Sequence, residues 1–371
     1  MSLQTPYPKS DKKSNKILDL YSKSVEILKG ILGDENYESI ERYLHAYDGK
    51  AASVKPVAKY ITIYWIGRTA DRMILRTEGE DDIILSEVEG EAVPTIIFRK
   101  LKAVYLRDFM KLMRTQWSAH SESIKKIYGD NYDFLIGCSI AVGIAGEEKG
   151  VLHGRCMKCP VDVLMGATSG EAEYNLVSRF VGDAAYALTP SFERRTGNSV
   201  DEVTHTTIML TGKESEEERR TGGLFAETFV DPGTLFVGKI VLPMISPPEL
   251  VHVLRLLTDV KRIGARTSIQ GTLEVYPVAM IGNLFEVGTA YEMAEKLQGK
   301  KSIDEVRKGI LDYLNMEAKF ATSSNIVVFT ADVINNLKGI NVLDANLVVE
   351  LWTNAKNYVD GVLEYIRVQA K

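Results

Sequence analysis

The chain has 371 residues, 45% of them hydrophobic and 26% charged, with a formal net charge of −5. That is enough for one large domain with insertions or for two domains, and the composition is that of an ordinary globular protein. The acidic balance argues against a chain that coats nucleic acid over its whole surface, though not against a local basic groove. The three cysteines, an odd and sparse set, point away from a disulfide framework.

In chain order, residues 1–15 are rich in Lys, Ser and Pro and predict an adaptable tail without an apolar signal core. Residues 16–45 carry a helical stripe of Ile17, Leu18, Tyr21, Val25, Leu28 and Leu32, with Gly33 as a stop. The β-branched and aromatic block 59–66 is the first strong strand. It runs into a loop, 67–72, that holds Arg68, Asp71 and Arg72. Residues 73–100 alternate short apolar runs with acidic turns and predict a β-rich insertion; 101–128 have helical spacing. Residues 134–143 predict a buried strand, inside the longest apolar run, 134–145. It is too short to cross a bilayer and is broken by glycine, so the chain is expected to be cytoplasmic.

Residues 175–188 predict a strand carrying Ser178, Arg179 and Phe180, and the polar stretch 189–220 predicts a projecting hairpin. Residues 224–230 and 234–242 predict two strands joined by the turn Asp231-Pro232-Gly233. Ser246, Pro247 and Glu249 form a helix start of the capping-box type, followed by a stripe of Leu250, Leu254, Leu257 and Val260. Residues 268–276 give another strand, and the chain from 285 is mainly helical, with one strand-like segment at 326–330 and a last helix over 344–368. The strand–helix–strand order, taken twice, predicts an α+β fold: a modified ferredoxin-like, RRM-like core.

Several groups could carry chemistry. Cys156 and Cys159 have the spacing of a zinc knuckle, with Cys138 as a third ligand and His153 or His120 as the fourth; packing and redox roles use the same spacing. The glycine run 143–150 with Lys149 is either a phosphate-cradling helix start or a turn, and it lacks the Ser or Thr of a phosphate loop. The pairs Arg194-Arg195 and Arg219-Arg220 are either a solvated face or, with Arg179 and nearby phenylalanines, groups that hold phosphates and stack on bases. Asp71, between Arg68 and Arg72, is either an acid in a functional loop or half of an Arg–Asp pair. His205 and His252 read as structural.

The loop with Lys149-Gly150, the segment Ser178-Arg179 with Asp183-Ala184, the run 198–204, and the groups 223–227, 233–236 and 262–266 occur in a telling order. The order resembles that of the CRISPR-associated family-seven backbone subunits, a branch of the RAMP superfamily. The resemblance spans about 59–276, and size and Cys-x-x-Cys placement look most like the type I-D kind. It implies a subunit that polymerises along CRISPR RNA, holds the spacer without reading its sequence and helps the target DNA or RNA strand to hybridise. Partners would be copies of itself in a helical filament and the other subunits of the interference complex, with no membrane. It further implies an N-terminal helical segment (1–55), a core over 56–284 and a C-terminal helical region (285–371). Within the core fall a lid and helical insertion (73–134), a zinc-binding region (135–175) and a thumb (189–222). Lys149 and Arg179 match RNA-backbone contacts, Met209 an apolar wedge on the thumb, and Lys261, Arg262 and Arg266 a basic helix-to-strand turn; Arg68 and Arg72 are further candidate RNA contacts. In type III relatives an acid near the place of Asp71 cuts target RNA, so the alternative is a metal-dependent nuclease cutting the bound strand at regular intervals.

Overall fold

A computed structural model describes residues 19–76, 83–129, 138, 155–168, 174–196, 226–265, 267–318 and 326–369. Its centre is β1 (Tyr60–Thr69), whose Ile61, Ile63, Tyr64, Trp65 and Ile66 are all buried. A strand so apolar on both faces must be covered on both. β1 lies antiparallel between β8 (Leu235–Pro243) and β10 (Thr272–Asn283). β8 in turn pairs with β4 (Val181–Gly182) and β5 (Ala185–Ala187). The helix α4 (Phe98–Tyr128) connects β1 to this pair, and α6 (Pro247–Leu257) connects β8 to β10. Earlier in the chain lie α1 (Ser22–Leu32), α2 (Asp34–Glu41) and α3 (Ala51–Val54); α5 (Pro160–Met165) lies between α4 and β4. The spatial order β10-β1-β8-β5 is the fourth, first, third and second core strand, which is the ferredoxin-like arrangement the element order predicts.

Additions extend this core. β2 (Leu85–Val88) and β3 (Glu91–Ile96) form a hairpin whose second strand joins β5. β11 (Ile326–Val328) joins β10 at the other edge, and β9 (Lys261–Arg262) pairs with the start of β10. β6 (Phe192–Thr196) and β7 (Ala226–Val230) make a separate two-stranded ribbon. β7 therefore does not pair back onto β8 as a hairpin, although the Asp231–Gly233 turn joins them; the two strands enter different sheets. β10 also runs on to Asn283, past the predicted end. Pro277, which cannot donate to the ladder, sits opposite Trp65, where the register shifts between Tyr64 and Trp65. Ser178 and Arg179 lie in an irregular segment before β4, not in a strand. The predicted strand over 134–143 lies outside the described residues except for Cys138.

Tyr64 and Lys239 are opposite neighbours and so share one face of the sheet. Tyr64 Oη donates to the Val287 carbonyl, and Lys239 Nζ bonds Glu286 (3.0 Å) and the Gly288 carbonyl (2.8 Å). These contacts seat the segment leading into α7 (Ala290–Leu297), which packs on β5 and β8, while α8 (Ile303–Ala318) packs on β1 and β10. The remaining helices are α9 (Ala331–Lys338) and α10 (Ala345–Gln369). No helix among the described residues is long and apolar enough to cross a membrane.

The capping box at Ser246 forms as predicted, with Glu249 accepting from the Ser246 backbone N–H at 3.0 Å. Leu250, Leu254 and Leu257 are buried, but Val260 is 60% exposed because the helix has already ended. Inside the core, His252 Nδ1 lies 2.7 Å from the Pro248 carbonyl and Nε2 lies 2.9 Å from Gln116 Nε2. The proton therefore sits on Nδ1, and Nε2 accepts. Gln116 also donates to the Val342 carbonyl and accepts from Trp352 Nε1–H, which joins α4, α6 and α10 through one amide.

Arg179 makes the tightest junction. Its guanidinium is buried and donates to both carboxylate oxygens of Glu249, one at 2.8 Å, and to the Met244 and Val163 carbonyls. The rings of Tyr47 and Tyr358 lie 5.0 and 4.6 Å from its Cζ. Burial alone would raise the Glu249 carboxyl, but the Arg179 charge and the Ser246 donors outweigh it and hold it low.

Removing one member of a buried pair leaves the other charged and uncompensated. Arg179→Ala is expected to cost about 3–5 kcal/mol in urea unfolding, and a loss within the error of the wild type would refute this role. Burial holds His252 neutral, with its pKa lowered to about 4 from 6.5. The unfolded chain then binds more protons, so the stabilisation is complete above pH 6.5 and is lost as pH falls towards 4. His252 alone accounts for about 3 kcal/mol of that loss, and a His252→Gln chain should show a shallower acid slope.

Candidate functional site

Two places gather groups that bind ligands. The first is the cysteine cluster. Residues 155–159 form a tight knuckle in which Met157 adopts φ +61°, a left-handed conformation rare for a side chain of this kind. The knuckle is held by Met157 N–H on Asp162 Oδ2 (2.7 Å) and by Cys159 N–H on Cys156 Sγ (3.2 Å). Pro160 then starts α5, which places Asp162 in its first turn facing back into the knuckle. Cys138 completes the group, with its Sγ 3.7 Å from Cys159 Sγ and 3.6 Å from Asp162 Oδ2.

The four donor atoms of Cys138, Cys156, Cys159 and Asp162 lie within 4.8 Å of one another. Sulfurs sharing a tetrahedral zinc at the usual bond length stand about 3.8 Å apart, so this donor set fits such an ion. The electrostatics agree. Burial raises the Asp162 carboxyl to about 6, the Cys138 charge adds to this, and Arg155 opposes it from 2.6 Å. Burial likewise pushes the Cys156 and Cys159 thiols up, while the hydrogen bonds of those two thiols pull Cys138 down. The negative charge of the cluster is thus restrained by burial, and a dication would relieve that restraint.

Among the described residues the fourth member is a carboxylate, Asp162. His120 sits at a kink in α4, with Nε2 2.8 Å from the Leu343 carbonyl, and is not brought to the cluster. His153 lies outside the described residues. Asp162 was missed because a single Asp three residues after a cysteine carries no spacing signal.

The second place is the loop after β1. Residues 69–76 touch three other segments. Met73 pairs with Val230 at the base of the β6–β7 ribbon, with N–H···O distances of 3.2 and 2.8 Å. The Leu75 carbonyl accepts from Ile84, just before β2. The Ile74 carbonyl accepts from Ala265, and the Arg72 carbonyl from Gly271, both in the turn between β9 and β10. Gly264 and Gly271 have φ of +101° and +88°, and a Cβ on either would stand 2.3 Å from a carbonyl oxygen, so this packed turn demands glycine at both.

Asp71 closes the junction. Its Oδ1 accepts from the backbone N–H groups of Gly271 and Thr272, each at 2.8 Å, and its Oδ2 from the Thr272 hydroxyl at 2.6 Å. Burial would raise its carboxyl, but the Thr272 and Gly271 donors and the Arg262 charge hold it below the usual range. Neither Arg68 nor Arg72 is its partner. Arg68 bonds Glu274 (2.7 Å) with its side chain 42% exposed, and Arg72 lies over the Phe229 ring. Arg262 is exposed and donates to the carbonyls of Thr267 and Ser268.

The other expected contacts divide clearly. Arg179 is buried on Glu249, and Lys261 is buried with Nζ 2.9 Å from Asp108 and over the Tyr105 ring. As placed, both are interior cations that serve the packing, which corrects the expectation of Arg179 as an RNA-backbone contact and of Lys261 as part of an RNA-binding turn. Arg194 and Arg195 lie on β6, opposite Thr228 and Glu227. Lys149, Met209, Arg219, Arg220 and Arg266 lie outside the described residues.

A family model described as Csc2 Crispr matches residues 43–341. Among solved structures, Csc2 of Thermofilum pendens is 22% identical with a TM-score of 0.61, covering 88% of this chain and 94% of that one. A chain of a CRISPR RNA-guided surveillance complex in a pre-nicking state is 11% identical with a TM-score of 0.47, covering 71% and 89%. No curated protein matches the chain.

If Asp162 completes the cluster, Asp162→Asn and Cys159→Ser should each reduce metal retained through purification, whereas His120→Ala should not. Elemental analysis per chain checks this, and equal metal in all four proteins would reject the assignment.

Proposed function

The chain belongs to the Csc2 family of CRISPR proteins, and on that premise we propose that it is an RNA-binding backbone subunit of a type I-D interference complex. In this reading several copies polymerise along one CRISPR RNA, together with other subunits, and hold it open for a target strand. The observation that supports it best is the arginine-bearing edge where β1, β9 and β10 meet, beside a ribbon that carries Arg194 and Arg195. Such groups hold a phosphate backbone and take no account of base sequence. An open, heterologous contact between copies would extend them into a filament.

The cysteine cluster in this reading holds a structural zinc, which would cross-link the knuckle to the segment carrying Cys138 and supply folding energy but no reactive position. The nuclease alternative has no observation to carry it among the described residues. Asp71 has both carboxylate oxygens engaged by three donors and is pinned to a turn, so it is poorly placed to bind a metal or accept a proton.

Affinity for single-stranded RNA is expected to be independent of sequence and to fall steeply with salt. Fluorescence anisotropy over a salt series measures it. Arg68→Ala and Arg262→Ala should each weaken binding to every sequence alike and make the salt slope shallower by about one. Strong preference for one sequence, or no binding at low salt, would contradict the proposal.

A further inference from the structure

Strand pairing places more on this edge than a scatter of cations. Thr272 and Glu274 are two apart on β10 and so point to the same face. Arg262 on β9 stands opposite Thr272, and Arg68 on β1 stands opposite Glu274. Directly opposed residues share a face, so Arg262 and Arg68 flank β10 on one side of the sheet, two strand spacings across and two residues along, about 12 Å apart. Tyr276, two further along, is on that face too. Its hydroxyl donates to Glu274 at 2.8 Å, and its ring centroid lies 5.8 Å from Arg68 Cζ.

The two arginines are not equally well anchored. Arg68 is fixed by a central strand and by Glu274. Arg262 belongs to a two-residue strand, and it leads into a turn whose two tight glycines follow the path of residues 70–76. Asp71 supplies three side-chain bonds that hold this turn to the β1 loop, through Gly271 and Thr272. Thr272 is the residue Arg262 pairs with.

We propose that Asp71 is a positioning residue: its carboxylate locks the start of β10 to the loop after β1, and so sets Arg262 in register with Arg68 for a single-stranded polyanion. This rests on the RNA-binding reading and assigns within it a role that the sequence alone gave to cutting. The carboxylate holds the turn through hydrogen bonds. An asparagine has the same shape. Its carbonyl oxygen can accept both backbone N–H groups, and its amide can donate to the Thr272 hydroxyl, which then accepts.

The test is binding of homopolymeric uridine RNA over a salt series, with full-length wild type, Asp71→Ala and Asp71→Asn, and with the melting temperature of each recorded. The expected result is an Asp71→Ala chain that binds roughly tenfold more weakly, with a salt slope shallower by about one, while Asp71→Asn stays close to the wild type in both. A role in general stability alone would change the melting temperature and leave the slope as it was. If Asp71→Ala does not fold, Thr272→Val removes one of the three bonds without a change of shape, and it should weaken binding severalfold with the same change of slope. Alanine or valine variants that bind like the wild type, or an asparagine variant as weak as the alanine one, would overturn the proposal. A wild type that does not bind RNA at all would instead overturn the reading beneath it, so the two failures are distinct.

Discussion

A buried pair of charges, Arg179 and Glu249, sets the geometry from which the rest follows. Taking two ions out of water is unfavourable, and such a pair is neutral at best against apolar residues of the same volume. Here it has several partners: the Ser246 cap on one side, the Met244 and Val163 carbonyls on the other, and two tyrosine rings along the sides. The consequence is directional. The pair fixes the start of α6 against the segment entering β4, and through Val163 it fixes α5 as well. The Arg179 backbone N–H on the Leu164 carbonyl (2.8 Å) repeats that link. The cysteine knuckle at the front of α5 is therefore tied to the core by the same arginine that orients α6.

The loop after β1 plays the corresponding part at the other end of the sheet. It holds the ribbon base, the β2–β3 hairpin and the turn from β9 into β10 at once, and the ribbon, the hairpin and β9 are additions to the ferredoxin-like core. Additions hung on one short loop can keep a fixed mutual geometry only if that loop is itself fixed. Asp71 supplies this with one carboxylate and three donors. The face of the sheet that carries Tyr64 bears α7 and α8, while the edge near this loop carries Arg68 and Arg262.

Much of this architecture was legible in the sequence, because local signals govern it. The β-branched block of β1, the capping box of α6 and the stripe of α10 each lie within one element, and each appears where the pattern puts it. What was not legible depends on partners far away in the chain. Arg179 faces Glu249, 70 residues on; Lys261 faces Asp108, 153 residues back; and Asp71 is held by Thr272, 201 residues on. A cation or carboxylate seen among its neighbours in sequence looks surface-bound, and only the fold shows which of them are interior. The same limit explains Asp162, whose place in the cluster depends on Cys138 arriving from 24 residues away.

These constraints support the proposed subunit, in which the core sheet would build the RNA-binding edge and the loop after β1 would hold it rigid. The most direct test of that account is native mass spectrometry of the particle purified with its RNA from cells expressing CRISPR RNAs of different spacer lengths. The account predicts one RNA per particle and a number of copies of this chain that rises in step with spacer length. A single copy at every length, or a chain that emerges free of RNA, would contradict it.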